Sequence, residues 1–194
     1  MDRRELLQLL ALSPLPALGI SPAAVERAAR HVREAARQGT GYAPTFFTAA
    51  EWRTVGVLAD LIVPRDERSG SATDAGVPAF IDFVMTEYPD HQVPVRGGLA
   101  WLGRDCRERY GREFADCTAA EQTALLDRIA WPKQAAPEMS QGVAFFTRFR
   151  DLVLSGFWSS KVGVEDLGYK GNTVGAEWKG CPAEVLAKLG NRRE

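Results

Sequence analysis

Apolar residues recur at helical spacing along most of the chain, and the breaks between the runs carry capping and turn residues. A first helix is predicted over residues 22–37. Ser21 caps it, Pro22 suits its first position, and Val25, Ala28, Ala29, Val32, Ala35 and Ala36 fall on one stripe. Being mostly alanine, that stripe is thin: it suits a helix lying flat on a larger surface, or a spacer ending at Gly39-Thr40-Gly41. The clearest local signal follows. Thr48 with Glu51 makes a capping box, and Phe47 with Trp52 can close a hydrophobic staple, so a helix starts at Ala49. Val55, Leu58, Ala59, Leu61 and Ile62 give it a wide apolar face, and Pro64 stops it.

Residues 65–76 form a polar loop, after which Pro78 opens a helix with Phe80, Ile81, Phe83 and Val84 pointing inward and Pro89 at its end. From Val95, the positions Leu99, Leu102, Cys106 and Tyr110 repeat at helical spacing. Thr118 and Glu121 form a second capping box, and Leu125, Leu126 and Ile129 carry that helix to Trp131-Pro132. Between Ser140 and Phe157 the chain is apolar on nearly all sides, which predicts a central helix or one that offers a face to another protein. Residues 160–182 show neither helical nor strand period. They hold Gly163, Gly168, Gly171, Gly175 and Gly180 beside Tyr169, Trp178 and Cys181, and suit an ordered wrap or a docking arm. A short closing helix fits Pro182 to Leu189. The predicted fold is mainly α, a single helical domain with an irregular, glycine- and aromatic-rich C-terminal arm.

Composition adds exclusions. With 194 residues, 45% of them apolar, and 24 basic against 25 acidic side chains, the chain can bury a core and has no global field for nucleic acid. The basic residues are interleaved with acids, as in Arg104-Asp105-Cys106-Arg107-Glu108-Arg109, which reads as a solvated helix face. No glycine-rich nucleotide cradle follows a strand pattern, and Gly97-Gly98-Leu99-Ala100-Trp101-Leu102-Gly103 lacks both the phosphate-loop spacing and its lysine. His31 and His91 stand far apart and read as surface residues. Asp60, Asp66, Glu67, Asp74 and Asp82 cluster around one loop, as caps and turn formers or as a cup for a ligand or metal.

Cys106, Cys117 and Cys181 make no Cys-x-x-Cys pair, which excludes c-type haem attachment. Cys106 and Cys117 can bridge if a turn near Gly111 brings them together, which leaves Cys181 to reach a partner; three reduced cysteines is the other reading.

At the N-terminus, Arg3-Arg4 precedes an apolar stretch running to about Ile20 and broken by Pro14 and Pro16. The stretch is too short to span a bilayer, which takes about 20 apolar residues. It resembles a twin-arginine export signal, although Asp2 and Glu5 weaken its positive region, and a plain amphipathic helix is the alternative. No tidy cleavage site stands out, so retention as an anchor stays open. The expected organisation is an export signal over 1–21, an alanine-rich helix and linker over 22–45, and a helical domain over 46–194.

Several separate stretches in order resemble the gluconate 2-dehydrogenase subunit 3 family. They are Phe46-Phe47-Thr48-Ala49-Ala50-Glu51, the run from Ala59 to Asp82, Gly156-Phe157-Trp158-Ser159-Ser160-Lys161, Asp166-Leu167-Gly168-Tyr169-Lys170-Gly171-Asn172 and Glu177-Trp178-Lys179-Gly180-Cys181-Pro182. Where many members carry Pro-Gly-Ala, this chain has Ser69-Gly70-Ser71-Ala72, which suggests a subgroup. The resemblance implies a noncatalytic small subunit with no cofactor of its own. Its partner would be a large dehydrogenase of the glucose-methanol-choline type that holds FAD and oxidises a sugar or sugar acid, often with a cytochrome c subunit as electron acceptor. The small subunit would carry the export signal for both chains to the periplasm, and any inner-membrane association would come through partners or an uncleaved signal. Phe157, Trp158, Tyr169 and Trp178 are the expected interface anchors, with Cys181 beside them; for Phe157 a place in the domain's own core is an equal expectation. The competing reading is a stand-alone small-ligand binder or cofactor-free enzyme that uses the acidic loop around Asp66 and Asp74.

Overall fold

Phe145, Phe146, Phe149, Leu152, Val153, Leu154 and Phe157 are all buried although they point to nearly every side of one helix, so other helices must surround it. The computed structural model describes residues 19–37 and 42–169, with Val185 and Ala187 besides, and every regular element among them is helical. In chain order these are α1 (Pro22–Arg37), α2 (Ala49–Ile62), α3 (Val77–Glu87), α4 (Gln92–Tyr110), α5 (Ala119–Ala130), α6 (Ser140–Ser159) and α7 (Lys161–Asp166). Short 3-10 turns stand at Pro89–His91, Phe114–Asp116 and Pro137–Met139. The apolar helix is α6, and it packs against α1, α2, α3, α4, α5 and α7. Residues 1–18, 38–41, 170–184, 186 and 188–194 lie outside the described residues, and with them most of the expected export signal.

Local sequence sets the starts of the helices. In α2 the Thr48 hydroxyl accepts from the Glu51 amide at 3.3 Å while Glu51 Oε2 accepts from the Thr48 amide at 2.9 Å. Thr118 and Glu121 repeat the arrangement at the start of α5. Two orphan donors are satisfied reciprocally in each case. Glycines set the close approaches. A Cβ on Gly98 of α4 would overlap the Phe145 ring of α6, so this crossing requires a residue without a side chain.

The thin alanine stripe of α1 is used for packing. Ala24, Ala28 and Ala29 are buried, and the helix lies on α3 and α6. Small side chains let it sit close, and Gly76, at φ +76°, leaves room for Val32 where a Cβ would come within 2.7 Å of Val32 Cγ1. The strand between α1 and α2 is fastened from below. Asp82, with no exposed surface, accepts from the Tyr42 hydroxyl at 3.0 Å, the Thr45 amide at 2.8 Å, the Thr45 hydroxyl at 2.9 Å, and the Phe46 and Phe47 amides at 3.0 Å each. Burial pushes its pKa up, but the amides of Thr45, Phe47 and Phe46 with the Thr45 hydroxyl outweigh it, and the carboxyl ends below its usual range. Above, Arg96 donates to Glu51 at 2.9 Å and to the Phe46 carbonyl at 2.9 Å while covering the Phe46 ring at 4.2 Å.

Two expectations are corrected here. Asp82 does not belong to the acidic loop: it points inward from α3 and serves residues 42–47. His91 is buried, not a surface residue, because its Nδ1 meets the Arg148 guanidinium of α6 at 3.0 Å and its ring lies edge-on to Tyr88. The guanidinium can only donate, so Nδ1 is the acceptor and the ring proton of a neutral His91 sits on Nε2. His31 is exposed and stacks on Phe83.

Candidate partner-binding surface

Residues 160–169, expected to be irregular, form a capped helical corner. Ser160 begins α7: its hydroxyl donates to the Phe157 carbonyl at 2.7 Å and accepts from the Gly163 amide at 3.0 Å. The chain turns so sharply from α6 into α7 that a Cβ on Gly163 would overlap the Phe157 carbonyl. At the other end Gly168 adopts φ +64°. Its amide donates to the Glu165 carbonyl at 3.0 Å, and the Tyr169 amide reaches back to the Val164 carbonyl at 3.2 Å. Those two bonds make a complete Schellman turn, which fixes the backbone of both residues flanking the glycine.

The side chains on that turn face water. Leu167 is 55% exposed and Tyr169 is 60% exposed. Trp158, one turn back on α6, is half-buried and edge-on to Phe157 at 5.0 Å between ring centroids. Its indole Nε1 is buried, and it is the one buried side-chain nitrogen or oxygen without a hydrogen-bond partner among the described residues. Leaving such a donor unpaired costs about 1–3 kcal/mol.

The acidic loop borders the same corner. Arg68 donates to the Asp166 carbonyl at 3.0 Å and pairs with its carboxylate at 3.8 Å, tying the loop to the end of α7. Next to it a cleft of about 180 Å3 opens between α1, residues 74–76 and the start of α7, with Val32, Phe80 and Val162 on its apolar walls. Arg33 and Lys161 also line the cleft, and both are exposed.

The loop carboxylates are engaged with the loop itself. Asp60 accepts from the Thr73 amide at 2.8 Å and its hydroxyl at 2.7 Å. Asp66 accepts from the Arg68 and Ser69 amides, each at 2.9 Å. Asp74 accepts from the Ser71 amide at 2.7 Å and pairs with Arg65 at 2.7 Å. The Ser71 amide, chiefly, holds the Asp74 carboxyl below its ordinary range; slight burial opposes this, and the Ser71 hydroxyl and Arg65 assist. Asp66 and Asp74 therefore shape the turn, and nothing in their arrangement aims both at a common point. Among the described residues no three His, Cys, Asp or Glu side chains gather as a metal set, and no helix is long and apolar enough to cross a membrane.

Of the expected anchors, Phe157 takes the second of its two expected places: it has no exposed surface and belongs to the domain's own core. Trp158 is half-buried at the end of α6 and Tyr169 is exposed just after α7. Trp178 and Cys181 lie outside the described residues. Cys106 and Cys117 are buried and unbridged, at opposite ends of the α4–α5 connection. Sequence reasoning missed Leu167 and the order of the turn. The signal was present in Ser160, a capping residue three positions before Gly163, and in Leu167-Gly168-Tyr169, a glycine stop between two large side chains.

A central helix packed against six others, with an exposed corner on a capped turn, defines a small all-helical domain. The chain belongs to the gluconate 2-dehydrogenase subunit 3 family, whose model matches residues 49–175, and the family is that of an accessory subunit of a dehydrogenase complex. The match opens at the first residue of α2 and runs past α7, so it takes in both the loop and the corner. Comparison with curated proteins and with solved structures gave no match.

Proposed function

We propose that this chain is the noncatalytic small subunit that binds, matures and co-exports a large flavin-dependent dehydrogenase of the glucose-methanol-choline type, acting on a sugar or sugar acid. FAD belongs to the partner, and a cytochrome c subunit is a further candidate member of the complex. The observation that carries this reading is the α7 corner, where Leu167 and Tyr169 stand in water on a turn whose backbone is fixed. Large side chains held in place before binding lose little entropy on contact. The family membership supports the same reading, as does the position of Trp178 and Cys181 downstream of the corner. The export signal over 1–21 would carry both chains folded across the inner membrane.

The test is co-expression with the flavoprotein and capture through a tag on this chain. Flavin absorbance in the captured fraction is expected for the natural sequence and is expected to fall for the Leu167→Ser, Tyr169→Ser pair. Replacing Arg3 and Arg4 by lysine should leave both chains in the cytoplasm. Oxidation of a sugar by this chain alone and without flavin, or equal flavin capture by the double variant, would refute the assignment of function or of surface respectively.

A further inference from the structure

The connection between α4 and α5 folds back on itself around two sulfurs. Tyr110 ends α4, Gly111 takes φ +68° and its amide returns to the Arg107 carbonyl, so the chain reverses at once. Glu113 then grips Arg107 with both oxygens, at 2.7 and 2.8 Å. The 3-10 turn follows, held from α5 by Gln122 donating to the Phe114 carbonyl at 2.9 Å, and the Cys117 amide closes it on Phe114 O. These contacts return Cys117 to the level of Cys106. Both belong to the same core cluster, Cys106 without exposed surface and Cys117 with 8%, and the 3-10 turn just before Cys117 packs against α4.

We propose that Cys106 and Cys117 are a disulfide site, which closes in an oxidising compartment and staples the end of α4 to the residue before the α5 cap. The oxidant is a small or protein disulfide, such as oxidised glutathione. Cys117, the less buried of the two, loses its proton and attacks one oxidant sulfur, forming a mixed disulfide and releasing one thiolate. The Cys106 thiolate then attacks the Cys117 sulfur, the second oxidant thiolate leaves, and both thiolates take up the released protons. Two protein thiols and one disulfide thus become one protein disulfide and two thiols, with two electrons passed to the oxidant.

The local chemistry sets the pace of closure. Burial, and then the neighbouring Cys117, push the Cys106 thiol up to about 12, so its thiolate is scarce while the core is closed. Closure is therefore slow in the folded chain and fast while the α4–α5 connection is still open. In a reducing cytosol the pair stays open. This inference concerns the chain by itself and stands whether or not the corner at α7 binds a dehydrogenase.

The experiment uses the purified full-length chain and oxidised glutathione in two arms, one in native buffer and one during refolding from urea. Free thiols are then alkylated under denaturing conditions without reduction, and tryptic peptides are weighed; the arginines at 107, 109 and 112 separate the two cysteines. The expected product is a peptide pair linked through Cys106 and Cys117, formed faster in the refolding arm, with Cys181 alkylated. The linked chain should melt about 5 °C higher than the reduced one, as a short closed loop implies. Cys117→Ala should abolish the linked pair. Alkylation of both Cys106 and Cys117 in both arms would overturn the proposal, as would linkage of either to Cys181 or a linked chain that melts no higher than the reduced one.

Discussion

At the Asp82 corner a carboxylate with no exposed surface accepts five hydrogen bonds from residues 42–47, and the strand it holds is covered by Arg96 from above. At the α7 corner the backbone is held by Ser160, Gly163 and Gly168, Leu167 and Tyr169 are exposed, and among the described residues the Trp158 Nε1 has no acceptor. Both corners cost conformational entropy to order. At the first the recovery is visible in those five bonds. At the second, Leu167 and Tyr169 are exposed on a fixed turn, which suits the proposed partner surface, so stability and recognition should respond to mutation at separate places.

The sharpest break of that contrast is Asp82→Ala. It strands the amides of Thr45, Phe46 and Phe47, the last of them buried, and we expect a loss of roughly 3 kcal/mol by urea denaturation, in line with removal of the acceptor of a charged hydrogen-bond network. Acid should do the same more gently. The folded Asp82 carboxyl lies below its unfolded value near 3.9, so its contribution is full above that pH and is lost as pH falls through the folded value. A midpoint of unfolding followed against pH should drop on the acid side, and Asp82→Asn should flatten that limb. An unchanged limb would move the acid sensitivity to other carboxylates, such as Glu51. There burial raises the carboxyl, but the Thr48 amide and Arg96 bring it below the usual range.

One substitution applied in two places sharpens the comparison. Gly98→Ala drives a methyl group into the Phe145 ring at the α4–α6 crossing, and overpacking there should cost about 2 kcal/mol of global stability. Gly163→Ala meets the Phe157 carbonyl instead, at the start of a six-residue helix near the end of the described fold. The strain there falls on one short helix and not on a crossing of two long ones, so the expected global loss is smaller, about 1 kcal/mol. Flavin capture, by contrast, should fall with Gly163→Ala and persist with Gly98→Ala at temperatures where the latter remains folded. The reverse pattern would place the docking surface on the α4–α6 face.

What the sequence disclosed follows from the range of the interactions involved. Both capping boxes act across three residues, and the helix starts at Ala49 and Ala119 could be read directly. The apolar circumference of α6 likewise required its central place. The role of Asp82 was hidden because its donors are 35 to 40 residues away, and nothing near it in sequence distinguishes it from a loop acid. His91 was misjudged for the same reason, since Arg148 lies 57 residues on. The α7 helix failed to register because six residues hold less than two helical turns, too few for a period. Whether Phe157 faced inward could not be read locally, because α6 is apolar on nearly every side and only its tertiary neighbours decide which residues are covered.

The smallest effect on stability should come from the residues that matter most for the partner. Tyr169→Ser removes an aromatic ring that is 60% exposed and leaves the backbone bonds of the Schellman turn untouched. Its midpoint in urea should stay within about 0.5 kcal/mol of the natural chain, the range of substitutions at exposed sites. Affinity for the large subunit should fall roughly 10-fold, equivalent to about 1.4 kcal/mol, because an aromatic anchor loses its pocket contacts while the rest of the interface still forms. Measuring both on one preparation separates the two corners: Asp82→Ala moves the first quantity and Tyr169→Ser the second. Should Tyr169→Ser shift the urea midpoint as far as Gly98→Ala does, Tyr169 would be packing its own domain, and the exposed corner would have to be understood as the footing of the chain that follows it.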